Sequence, residues 1–137
     1  MDLPAIPANE ACYELLRTTA PSLWEQFERR LLPVADGDGE PEERVREIAH
    51  LEGELWSEFL AHDTEHRSRE LGRSWPCCVE DLTAAIVTAA IPAIAASDEP
   101  VERRRERLEA LRALVAGPSL TGATVGFDLQ RAIHELG

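Results

Sequence analysis

The stretch that most constrains this chain is "VEDLTAAIVTAAIPAIAA", residues 79–96, which is apolar on nearly every side. A helix without a polar face must be surrounded, by its own bundle or by its own bundle and a second subunit. Its mostly apolar part, residues 82–96, is shorter than the roughly 20 residues that span a bilayer, and basic flanks are missing. The expectation is therefore a core helix and no membrane. Its alanines let neighbouring helices approach closely, and Pro92 should kink or loosen it near Thr88.

The rest of the chain also reads as helix. "NEACYELLRTTA" forms a first helix with Asn9 as its N-cap, and Pro21 ends it. "PSLWEQFERRLL" follows, with Leu23, Trp24, Phe27 and Leu31 at helical spacing and Pro33 as its stop. After the acidic loop "VADGDGEPEE", a long acidic helix starts near Pro41 and should run to about Leu71, with Gly72 behind it and a bend allowed within it. "GRSWPCC" breaks the chain before the apolar helix. A charged helix then starts at Pro100 and stops at Gly117, "PSLTGATVG" connects, and "FDLQRAIHEL" closes. No alternating run is long enough for a sheet. The expected fold is all-α: a single-domain bundle of five or six helices with one long acidic helix and one central apolar helix, residues 9–137, behind an extended N-terminal arm, residues 1–8.

Size and charge narrow the function. A chain of 137 residues with 44% hydrophobic content can bury a core without staples. Three cysteines, Cys12, Cys77 and Cys78, make a poor disulfide framework, which points to a reducing cytoplasm. The Arg and Ala bias correlates with a bacterial, GC-rich source. A net charge of −12 repels nucleic acid, so none is expected as a partner. All 14 basic residues are arginine, which excludes lysine-based catalysis and the lysine of a phosphate-binding loop.

"HLEGELWSEFLAHDTEH" places His50, Glu54, Glu58, His62 and His66 at every fourth position. At about 100° per residue the ladder drifts round the helix, so only adjacent rungs can cooperate. Val45, Ile48, Leu51, Leu55, Trp56 and Phe59 set the apolar side, from which His50 points away. His62 and His66 are the candidate transition-metal clamp, with Glu58 as the further ligand and Asp63 or Glu65 as alternatives. The spacing resembles the His-x-x-x-His elements of hemerythrin-like bundles, but the other helices carry no matching histidines, so no family is assigned. Glu47 to His50 matches half of a ferritin-like Glu-x-x-His motif, and only a dimer could supply the second copy.

Other patterns have plainer readings. Asp36, Asp38, Glu40, Glu42 and Glu47 follow a calcium-loop spacing, yet Pro41 stands where the loop needs glycine. Cys77 and Cys78 lie near a helix start, where the dipole would lower a thiol pKa. Arg44 and His50 fit the Arg-x5-His spacing of small helical ribonucleases, against which the acidic surface argues. "ERRRER", residues 102–107, stands among glutamates that should pair with it.

The reading is a non-enzymatic protein-interaction or regulatory module, working as a homodimer or with a protein partner and needing no cofactor. Trp24, Trp56 and Trp75, where exposed, are the expected contact residues. The alternatives are a metal-binding bundle using His62 and His66, and the small ribonuclease.

Overall fold

The computed structural model describes residues 10–64, 66–115 and 120–137, with the backbone alone for 120–124. The expected arm and the Asn9 cap lie outside these residues. The elements are α1 (Glu10–Thr19), α2 (Pro21–Gln26), a π-helical turn (Phe27–Leu31), α3 (Leu32–Ala35), α4 (Pro41–Ala61), α5 (Ser68–Leu71), α6 (Ser74–Ala95), α7 (Val101–Val115) and α8 (Leu120–Glu135). Among the described residues there is no strand, and the protein is an all-α helical bundle. With α2, the π turn and α3 taken as one bent rod, six rods carry the fold and α5 adds a single turn.

One apolar cluster joins them. On α4, Val45, Ile48, Leu51 and Leu55 repeat every three or four residues and are buried together, as the periodicity requires. They belong to one buried cluster with Leu16 of α1, Phe27 and Leu31 of the bent rod, Leu108 and Leu111 of α7, and Val125 and Leu129 of α8. Helix α6 runs through the middle and packs against α1, α3, α4, α7 and α8. Its Trp75, Val79, Leu82, Val87 and Ile94 are almost wholly buried. Each such side chain stabilises the fold by about 1.5–3 kcal/mol relative to an exposed one.

Several expected boundaries move, each for a physical reason. Pro33 does not stop its rod. The preceding π turn, in which the Leu32 N–H bonds the Phe27 carbonyl five residues back, re-aims the backbone and leaves Pro33 in the first turn of α3. The acidic helix stops at Ala61, ten residues early, because residues 61–70 hold no large apolar side chain before Leu71 to fasten a helix to the core. Helix α6 starts at Ser74, taking in "SWPCC", because Pro76 falls in the first turn where its missing N–H costs nothing. Helix α8 starts at Leu120 and runs through Gly122 and Gly126. Burial of Val125, Leu129 and Ala132 at helical spacing outweighs about 1 kcal/mol per glycine.

The arginines have structural work. Three of them reach the orphan carbonyls at helix C-termini. Arg67 Nη1 donates to Thr19 O of α1 at 3.0 Å. Arg44 Nε donates to Val34 O at 3.0 Å, and its Nη2 to Ala35 O, at the end of α3. Arg104 Nη1 donates to Ala95 O at 2.6 Å at the end of α6. A rigid, permanently charged fork suits this role, since it both satisfies carbonyls and opposes the negative end of the dipole.

Arg107 ties α7 to the start of α4. It donates to Glu99 at 2.5 Å, to Glu40 at 2.7 Å and to Glu42 at 3.4 Å. Burial works against its charge, but the Glu99 hydrogen bond and the charges of Glu42, Glu99 and Glu40 more than offset this, so its pKa is raised. Two glutamates of the calcium-like spacing, Glu40 and Glu42, are therefore turned to a guanidinium. In the same cluster Arg105 pairs with Glu102 and Arg103 with Glu99 and Glu106, the mutual pairing that the sequence suggests.

Candidate functional site

The first half of α6 is enclosed, but the second is not. Ala85, Thr88, Ala89, Pro92, Ala93 and Ala96 are all exposed, at spacings of three and four that align them on one narrow face. Across its most apolar 18-residue window only 50% of the helix is buried. By length and composition alone the run Ser68–Ala95 would suffice to cross a membrane. The exposed face carries no charge and no long side chain, so another helix could approach its backbone closely. Pro92 adds a polar feature, because it has no N–H to give the Thr88 carbonyl, which loses its bond within the helix. Larger exposed apolar side chains are scattered singly: Leu60 on α4, Val101 on α7 and Phe127 on α8.

A second feature lies where α4 ends. A cleft of about 350 Å³ is lined by Ser22 and Gln26 of α2, Glu58 and Phe59 of α4, and His62, Asp63 and Arg67 beyond it. The Asp63 carboxylate accepts from the Arg67 and Ser68 backbone N–H groups at 2.9 and 2.8 Å, and so organises the turn before α5. Glu58 and His62 both face this cleft. His62 is already the C-cap of α4, and His66 follows with φ of 57°, in the left-handed region. The two histidines therefore do not share a helix face, and the i,i+4 clamp inferred for one continuous helix is not formed. Among the described residues no group of three His, Cys, Asp or Glu gathers to hold an ion. Glu65, an alternative ligand, lies outside the described residues.

The tryptophans divide. Trp75 is 1% exposed, donates its Nε1–H to Glu52 O at 3.3 Å and meets Phe27 edge-on. It is a core residue, which corrects its reading as a contact residue. Trp24 and Trp56 are half-buried. Trp24 stacks on Phe27 with ring centroids 5.2 Å apart and lies under the Arg17 guanidinium, and Trp56 stacks on Phe59. Both are already packed within the chain. The ribonuclease pattern is also taken apart, since Arg44 is bound to the end of α3 while exposed His50 faces Glu54 at 3.3 Å.

The thiols behave against the dipole argument. Burial first, then the Cys12 charge, pushes Cys77 up to about 11, and burial with Cys12 and Asp81 pushes Cys78 up to about 12. Cys12 of α1 lies beside them, a neighbour that sequence spacing does not reveal. Buried Asp81 accepts from Tyr13, whose hydroxyl also lies 3.4 Å from Cys78 O. Burial first, then Asp81, raises the Tyr13 pKa.

No family model, curated protein or solved structure matches this chain.

Proposed function

We propose that the protein is a non-enzymatic interaction module that works through the exposed face of α6, and that the face receives α6 of a second copy. The observation behind this reading is an uncharged helix face, 85-88-89-92-93-96, left open on a chain of net charge −12. Two copies of so acidic a chain repel each other overall, whereas at this face no like charges meet. Small side chains allow close backbone approach, and a single helix crossing its own copy about a two-fold axis is self-complementary. Such a strip is smaller than the interface of about 1,200 Å² expected of a stable complex, so the association is weak and concentration-dependent.

Light scattering over a concentration series tests this with two variants. Ala89→Glu places a like charge in both copies at the centre of the face and should leave a helical monomer. Ser57→Glu, on an exposed part of α4, should associate like the parent. Association unchanged by Ala89→Glu would overturn the proposal. So would a monomer that pellets with phospholipid vesicles, since the face would then belong to lipid.

A second reading rests on Glu58 and His62 facing one cleft. It makes the protein a metal carrier in which His62, Glu58 and His66 come together around a transition metal ion. Stoichiometric metal in the purified protein, lost on His62→Ala, would support it.

A further inference from the structure

The cleft at the end of α4 is built by two facing helix surfaces, and the proposed α6 interaction makes no use of it. Ser22, Leu23 and Gln26 fall on one side of α2, and Leu55, Glu58 and Phe59 follow at spacings of three and four on α4. The two helices pack together, and both runs line the same space of about 350 Å³. That volume lies at the lower end of the roughly 300–1,000 Å³ of small-molecule sites. Leu23 and Leu55 are buried, and Phe59 is half-buried with its ring stacked on Trp56, centroids 5.4 Å apart. The cleft therefore has an apolar floor with an aromatic ring held in place.

The polar groups around that floor differ in what they already do. Asp63 accepts from two backbone N–H groups and Arg67 donates to Thr19 O, so both serve the chain's own turn. The Ser22, Gln26 and Glu58 side chains make no hydrogen bond or ion pair among the described residues. This sets Glu58 apart from Glu14, Glu25, Glu54, Glu99 and Glu102, each of which pairs with an arginine. An anion entering the cleft would meet the charges of Glu58 and Asp63. A neutral apolar molecule would cover the floor and leave the Glu58 carboxylate unanswered. A cation gains from Glu58, from the Asp63 charge, from the negative face of an aromatic ring and from a chain of net charge −12 that draws cations to it.

We infer that this cleft binds a small organic cation, an amine or amidine joined to an apolar body. The cationic group donates to the Glu58 carboxylate and to the Ser22 and Gln26 oxygens, and the body lies on Leu23, Leu55 and Phe59. The floor is what separates this site from the metal reading of the same cleft, since a bare ion makes no use of apolar lining.

The test titrates the full chain, with EDTA present, with benzamidine, benzyl alcohol and benzoate up to millimolar concentration while backbone amide NMR spectra are recorded. Benzamidine should give saturable shifts confined to residues 22–26 and 55–67, and neither the alcohol nor the anion should reproduce them. Glu58→Gln should weaken benzamidine about tenfold through loss of the charge-assisted hydrogen bond. Phe59→Leu, which keeps an apolar side chain but not the ring, should weaken it about fivefold. Glu54→Gln removes the same charge one turn away and should leave the affinity unchanged. The Ala89→Glu chain should bind benzamidine like the parent, so the cleft stands or falls apart from the α6 interface. An equal response to benzyl alcohol or benzoate, shifts scattered over the acidic surface, or equal weakening by Glu54→Gln would each overturn the assignment. So would a response that appears only when zinc replaces the EDTA, or no shift at all. The titration of the unaltered chain with the three probes decides this even if Phe59→Leu folds poorly.

Discussion

Replacing Arg107 with alanine removes one guanidinium from three carboxylates, of which Glu99 keeps Arg103 at 3.6 Å. The Arg107 side chain is 14% exposed, as is Glu42, while Glu99 is 34% and Glu40 63% exposed. A hydrogen bond to a charged group contributes roughly 1.5–3 kcal/mol when well shielded, and an exposed ion pair only about 0–1 kcal/mol. The 2.5 Å bond to half-shielded Glu99 then contributes near the lower end of the first range. Glu40, mostly in water, adds little, and the 3.4 Å contact to Glu42 is weak in itself. The larger consequence is that Glu42, nearly enclosed, keeps its charge beside two others and loses its guanidinium partner. Arg107→Ala should therefore cost about 2–3 kcal/mol. Urea unfolding followed by circular dichroism would show a lower midpoint at unchanged slope. Arg107→Lys should fall between the two, keeping the charge but losing the fork that reaches Glu99 and Glu40 together. Acid should shrink the penalty, because the stranded glutamates become neutral. A cost below about 0.5 kcal/mol, the level of an ordinary surface change, would refute the view of Arg107 as the clamp between α4 and α7.

Two further predictions concern α4 and α8. Burial first, then the Glu80 charge, raises the Glu52 pKa, so the folded chain binds that proton more tightly than the unfolded one and loses stability as pH rises through the carboxylate range. Glu52→Gln should thus be more stable than the parent at neutral pH, and the gain should vanish below the ordinary carboxylate pKa of about 4.3, where both side chains are neutral; equal melting curves at neutral pH would contradict this. A Cβ built on Gly53 or Gly126 meets nothing within 4 Å, so Gly53→Ala and Gly126→Ala should each stabilise by about 0.5–1 kcal/mol in urea titrations, and a loss at either would mean that the surrounding helix is not regular there.

What could be read from the sequence is what periodicity carries. The faces of α4 and α6 and the charged pairing on α7 follow from spacing, because burial selects apolar residues every three or four positions whatever lies opposite. Proline and glycine misled, because their effect depends on the position they occupy within a turn. Pro76 in a first turn and Pro33 behind a π turn are compatible with helix, and Gly122 and Gly126 are tolerated where Val125 and Leu129 supply burial. The arginine caps were not legible, since Arg67 and Thr19 lie 48 residues apart and nothing local joins them.

The candidate site divides in the same way. That α6 must be surrounded is a sequence inference; which of its faces the bundle leaves open depends on the elements packed against it. The His62 and His66 pair shares a helix face only if α4 extends past Ala61, and the absence of apolar anchors in residues 61–70, visible in the sequence, is what ends the helix. That Cys12 raises the pKa of Cys77 and Cys78 depends on α1 lying on α6, a contact with no signature in spacing.

The proposed dimer joins α6 of one copy to α6 of another. Sedimentation equilibrium of the reduced, full-length protein, from low micromolar to near-millimolar concentration, addresses it most directly. The expected result is a smooth rise from monomer to dimer mass that Ala89→Glu abolishes while helical content stays the same. A single species of monomer mass across the whole range would contradict it.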